Sequence, residues 1–146
     1  MVGGIVMNFD SQICTTREQS ERLLALGLRK ETADMFYDYN KDRIGYDWYL
    51  VPKSATLGDK RSIPAWSLGR LLEMLPSPIP ISEDLPTFHH YAYLDLSKVS
   101  AHYYWEDYDG DRRALVRFCG KGFFAAVADA IEWIIKEGYF NKEYLV

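Results

Sequence analysis

Ala101-His102-Tyr103-Tyr104-Trp105-Glu106-Asp107-Tyr108, then Asp109-Gly110, then Asp111-Arg112-Arg113-Ala114-Leu115-Val116-Arg117-Phe118 is the stretch whose reading decides the fold. Two β-prone runs flank an Asp-Gly pair, the dipeptide that suits a two-residue type I′ turn because that turn needs positive φ at both central positions. With Asp109 and Gly110 at the tip, Asp107 falls opposite Arg112, Glu106 opposite Arg113, Trp105 opposite Ala114, Tyr103 opposite Val116 and His102 opposite Arg117. Two acid-base pairs then lie across the ladder, each contributing roughly 0.2–1 kcal/mol. The period of two assigns Ala101, Tyr103, Trp105, Ala114, Val116 and Phe118 to the core face. It assigns His102, Tyr104, Glu106, Arg113, Leu115 and Arg117 to the other, and a slip of one residue would exchange the faces.

Working outward, Tyr91-Ala92-Tyr93-Leu94-Asp95-Leu96 alternates and predicts a strand with Ala92, Leu94 and Leu96 inward. The short link Ser97 to Ser100 makes the three strands an antiparallel meander. Downstream, Phe123 to Glu137 predicts a heavily buried helix carrying Phe123, Val127, Ala130, Ile131 and Ile134 on one side and stopped by Gly138. Upstream, Ser62-Ile63-Pro64 predicts the start of a helix whose Leu68, Leu71, Leu72 and Leu75 form one apolar stripe. Pro76 to Pro80 ends it as an extended crossover.

Nearer the N-terminus, Tyr46 to Val51, closed by Pro52, reads as a strand that extends the meander. Thr15-Thr16-Arg17-Glu18 fits a capping box with Thr15 as cap, opening a helix that carries a Glu18–Arg22 pair and ends at Gly27. Glu31 to Phe36 reads as a second short helix. This pair suits a plain helical corner better than a DNA-reading helix-turn-helix, since Glu31, Thr32 and Asp34 would face a polyanion. The expected fold is therefore α+β: an antiparallel β-meander of three to four strands packed against helices, with an N-terminal pair of short helices. It forms a single domain over residues 1–146, with residues 1–12 a poorly ordered extension and Met7 an alternative start.

Composition bounds the function classes. The chain has 146 residues, a formal net charge of −4, 11 Tyr and 4 Trp. An acidic balance disfavours nucleic-acid binding by bulk electrostatics. Cys14 and Cys119 stand far apart with no CxxC spacing, which reads as two reduced thiols. No apolar run approaches the ~20 residues of a membrane span, and no basic region precedes an apolar core as in a signal peptide. The expectation is a cytoplasmic protein with no membrane partner.

Three regions carry a resemblance. Cys14-Thr15-Thr16-Arg17-Glu18-Gln19-Ser20 with Leu23-Leu24-Ala25-Leu26-Gly27-Leu28 and Thr32-Ala33-Asp34-Met35, then Pro64-Ala65-Trp66-Ser67-Leu68-Gly69-Arg70-Leu71-Leu72-Glu73-Met74-Leu75-Pro76, and Ile131-Glu132-Trp133-Ile134-Ile135-Lys136-Glu137-Gly138-Tyr139 are similar to short uncharacterised proteins of Bacteroides-type bacteria and their phages or mobile elements. The resemblance implies a cytoplasmic bacterial or phage accessory protein. It brings no activity, ligand or catalytic residue with it.

The candidate site is the polar face of the sheet. Tyr91, Tyr93, His102, Tyr104, Arg113 and Arg117 would share it, setting aromatic planes beside two guanidiniums. Such a face stacks bases and pairs with phosphates, or stacks on other planar or charged ligands. A metal site is not expected: His89 and His90 are adjacent and would point to opposite faces of a strand, and Asp107-Tyr108-Asp109-Gly110-Asp111 lacks the glycine and glutamate positions of an EF-hand. A small hydrolase would rest on His89 or His90 with Asp95, but no nucleophile elbow accompanies them. The expected function is non-catalytic binding or adapter work, without cofactor, with a protein partner or a second copy of the chain docking through an exposed edge strand. A single-strand nucleic-acid binder and a His-dependent hydrolase are the alternatives.

Overall fold

The computed structural model describes residues 12–39, 48–56 and 61–146. The expected N-terminal extension, the Met7 start and the Tyr46-Asp47 end of the predicted strand lie outside these residues, apart from Gln12. Helix α1 spans Arg17–Ala25, strand β1 Met35–Tyr39, β2 Trp48–Pro52, β3 Ile63–Ala65, helix α2 Leu68–Met74, β4 Ile79–Pro80, β5 Tyr91–Leu96, β6 Ala101–Glu106, β7 Arg112–Phe118 and helix α3 Phe123–Lys136. The strands form two antiparallel sheets, one in the order β2-β1-β3 and one in the order β4-β5-β6-β7. The α+β class and the β5-β6-β7 meander are as expected. The predicted second helix is not: after a short 3₁₀ turn at Lys30–Thr32 the chain enters β1. Nor does the strand ending at Pro52 extend the meander, because β1 captures it in the smaller sheet.

Two helix starts differ from expectation for reasons that lie far away in sequence. Thr16, not Thr15, caps α1: its hydroxyl accepts from Gln19 N at 3.1 Å while Gln19 Oε1 accepts from Thr16 N at 2.9 Å, a reciprocal capping box one residue later. Thr15 is fully buried instead. Its hydroxyl accepts from Trp66 N at 3.0 Å and meets Ser20 Oγ at 2.8 Å. Arg22 reaches across to Glu132 on α3 at 3.0 Å rather than pairing within its own helix. Likewise α2 is capped by Ser67, not Ser62, and Asp34 accepts from both Ser67 N (2.8 Å) and the Ser67 hydroxyl. Ser62-Ile63-Pro64 consequently runs into β3. The predicted crossover at Pro76 to Pro80 contains a cis Ser77–Pro78 bond and ends in the two-residue strand β4.

One hydrophobic cluster joins the elements. Leu23 of α1, Leu71 and Met74 of α2, Ala92 of β5, Ala101 and Tyr103 of β6, and Val127, Ile131 and Ile134 of α3 are all buried in it, together with Trp66. The indole Nε1 of Trp66 donates to Thr32 Oγ1 at 2.9 Å, so this large ring is buried with its polar tip satisfied. Helix α3 packs on β6 and β7, with Trp133 near Tyr103 and Phe118. The phenol of Tyr103 donates to Pro76 O at 2.8 Å, and burial pushes its pKa up. Helix α3 thereby covers the inner face of the four-stranded sheet.

The β6–β7 hairpin keeps the predicted register only at its base. Tyr103 faces Val116 and His102 faces Arg117, but Tyr104 faces Ala114, Trp105 faces Arg113 and Glu106 faces Arg112. Leu115 is the extra residue of a β-bulge. The cause sits at the tip. Gly110 alone has positive φ there, at 80°, while Asp109 does not. Gly110 N donates to Asp107 O at 3.0 Å and Asp107 N donates to Asp111 O at 2.9 Å. The loop is therefore three residues, Tyr108 to Gly110, a type I turn followed by a left-handed glycine. Asp107 Oδ1 accepts from Asp109 N (3.0 Å) and Asp111 N (2.9 Å), and its Oδ2 pairs with Arg113 Nε at 2.9 Å. These donors, Asp111 N first, hold its carboxyl below the usual carboxylate range. The expected Asp107–Arg112 and Glu106–Arg113 pairs are thus replaced by Asp107–Arg113.

The bulge also exchanges residues between the faces. Leu115, expected outside, packs against the core beside Val116, and Ala114, expected inside, is exposed. Leu96, expected inward at the end of β5, is 40% exposed.

Candidate binding cleft on the outer sheet face

The face of the four-stranded sheet opposite α3 carries the candidate site. Tyr91 and Tyr93 flank the fully buried Ala92 on β5, so alternation sends both rings outward, where they are 50% and 42% exposed. Tyr104 is the ladder partner of Tyr93, and their ring centroids lie 6.1 Å apart. The three rings share one open cleft of about 320 Å³ with His89 and Glu106.

The loop before β5 builds the rim. Thr87 is buried, and its hydroxyl donates to Glu106 O at 2.5 Å while accepting from His89 N at 3.2 Å. Tyr108 N donates to Pro86 O at 3.1 Å. Those bonds fasten residues 86–89 along the end of β6, which brings His89 beside the tyrosines.

Of the six predicted residues, Tyr91, Tyr93 and Tyr104 meet in the cleft. His102 and Arg117 are ladder partners beyond its lining. Arg113 does not join them: the bulge sets it opposite Trp105, and Asp107 holds it. Arg112 takes the place predicted for Arg113. Its guanidinium lies 4.1 Å above the Tyr104 ring centroid and its Nη1 is 3.7 Å from Asp95 Oδ2. His102 Nε2 is 3.5 Å from the same oxygen, and its Nδ1 is buried without a partner among the described residues. Asp95, the carboxylate that a His89 or His90 hydrolase would use, is thus engaged by His102 and Arg112.

His89 and Glu106 line the cleft outside the six predicted site residues, although the period of two already put Glu106 on this face. Glu106 had been paired with Arg113, and no local signal marks Thr87 as the anchor that brings His89 in. Elsewhere, carboxylate oxygens of Asp107, Asp109 and Asp111 lie within 4.8 Å of one another. Asp107 already accepts two backbone N–H groups and an arginine, so the hairpin accounts for that cluster without an ion. Among the described residues no helix is long and apolar enough to cross a membrane. No protein-family model, no curated protein and no solved structure matches the chain.

Proposed function

We propose that the chain is a non-catalytic binding protein whose ligand surface is the outer face of the four-stranded sheet. The observation that carries this reading is the convergence of three tyrosine rings on one open cleft of about 320 Å³. That volume falls at the low end of the roughly 300–1,000 Å³ of small-molecule sites, so a small ligand or a single side chain suits it better than a polymer. Rings left half in water at adjacent ladder positions contribute little to the core, whereas they offer a stiff apolar contact surface to a partner.

Adapter work in a cytoplasmic accessory system of a bacterium or phage is the setting that accompanies this reading. The single-strand nucleic-acid alternative draws on Arg112 above Tyr104 and on Arg117. Against it, Asp95 and Glu106 share the face and the chain carries a net charge of −4, so incoming phosphates meet carboxylates.

The test is amide chemical-shift mapping of the full chain with choline, adenosine monophosphate and indole added separately. A labelled single-stranded oligonucleotide is followed by anisotropy at two salt concentrations. The expected result is that at least one small probe moves amides of Tyr91 to Tyr93 and Tyr104 to Glu106, and that Tyr93→Ala removes the response. The proposal is overturned if no probe moves those amides. It also falls if only the oligonucleotide binds, salt-dependently, and Arg112→Ala/Arg117→Ala abolishes that binding.

A further inference from the structure

We infer that the cleft recognises a fully methylated ammonium group, an inference that rests on the binding reading above and names its ligand chemistry. The lining supplies the two things such a cation needs. Tyr91, Tyr93 and Tyr104 line the cleft with three aromatic rings, and a ring face attracts a cation within about 6 Å of its centroid. Glu106 provides one carboxylate.

That carboxylate is uncommitted. The ladder sets Arg112 directly opposite Glu106, where a cross-strand ion pair would be the ordinary outcome. Arg112 instead turns to the Tyr104 ring and Asp95, and Arg113, the other basic neighbour, is held by Asp107. Among the described residues no hydrogen bond or ion pair engages the Glu106 side chain. The Glu106 carboxylate beside the three rings is therefore left without an ion-pair partner among the described residues.

The same face already shows the interaction on a small scale, since a guanidinium sits 4.1 Å above Tyr104. An anionic ligand fits less well: neither Arg112 nor Arg117 lines the cleft, and Glu106 would repel it. A primary ammonium is strongly hydrated and carries three N–H donors that each want an acceptor. A methylated one is weakly hydrated, and apolar ring faces can replace its water.

The experiment compares choline with 3,3-dimethyl-1-butanol, which has the same shape with a neutral carbon in place of the nitrogen. Both are titrated into the isotope-labelled full chain and followed at the amides of Tyr93 and Tyr104. Choline is expected to bind about tenfold more tightly than its neutral isostere. Glu106→Gln, which breaks no internal contact, is expected to weaken choline about fivefold and leave the isostere unchanged. Tyr93→Leu should weaken choline as well.

A second arm asks where the group comes from. A peptide bearing trimethyllysine that binds more tightly than choline marks a modified protein as the source, and equal binding marks a free small molecule. Equal affinity for choline and the isostere overturns the inference while leaving the binding reading intact. So does a response to adenosine monophosphate or indole without one to choline, or choline binding indifferent to both substitutions. Silence of the cleft toward every probe overturns both.

Discussion

The composition of the cleft depends on how the β6–β7 hairpin turns, and a pair of single substitutions tests that turn. Gly110 has φ of 80° with open space where a Cβ would stand, so Gly110→Ala meets no neighbour. Its whole cost is conformational. An L-residue in the left-handed region costs roughly 1–2 kcal/mol, which for a chain of this size lowers Tm by roughly 2–8 °C. Asp109 has no positive φ, and its carboxylate makes no hydrogen bond among the described residues while lying close to those of Asp107 and Asp111. Asp109→Ala should therefore stay within about 0.5 kcal/mol of the parent. A type I′ turn predicts otherwise, because both central positions would then be left-handed and both substitutions would be costly. Thermal unfolding followed by circular dichroism, with the parent and both variants in the same buffer, separates the cases. Equal losses would mean a two-residue tip, no bulge at Leu115, and Arg113 rather than Arg112 above Tyr104.

Three further outcomes follow from the packing and the titrating groups. Ile131→Ala, in the fully buried seam of α3, should destabilise by about 2–5 kcal/mol in denaturant titration, whereas the exposed Val99→Ala should change little. Native protein should expose one thiol to a disulfide reagent, the exposed Cys119. Burial covers Cys14 and raises its pKa, so the second thiol should react only on unfolding. Asp107 has a folded pKa below its unfolded value, so the stability it contributes is present above the unfolded pKa and lost as pH falls through the folded one. An Asp107→Asn variant should show a flatter decline of Tm on the acid side of pH 4 and an Arg113 side chain that no longer shifts with acidification.

What could be read from residues alone was whatever local pattern and burial both enforce. Ala92, Ala101 and Tyr103 had to be inside, which fixed β5, β6 and the base of the hairpin. The apolar breadth of Val127 to Ile134 made α3 unmistakable. Asp-Gly was misread because the decisive hydrogen bonds come from the Asp107 side chain, three residues before the glycine, and a side-chain acceptor can reset a turn without altering the dipeptide at its tip. Glu31 to Phe36 was misread as a helix because the strand character of β1 comes from pairing with β2 on one side and β3 on the other. Ser67 won over Ser62 because Asp34, 33 residues earlier, accepts its hydrogen bonds. The tyrosines of the site were visible as an alternating face. Glu106 was placed on that face but matched to Arg113, Arg112 was hidden by the one-residue shift in β7, and His89 by a loop anchor with no sequence signature.

The bulged outer strand has a colloidal consequence. Among the described residues β7 is hydrogen-bonded on one side only, and its seven residues include three arginines. A second copy joining it antiparallel in the register that matches all seven, centred on Leu115, would set Arg113 against Arg117 twice over, with a kink where the two backbones should run flat. Sheet growth by edge addition is thus opposed by like charge at low ionic strength. Concentrated salt, with a Debye length near 3 Å at 1 M, removes that opposition. Light scattering that rises with added salt would mark this rim as the place where aggregation begins.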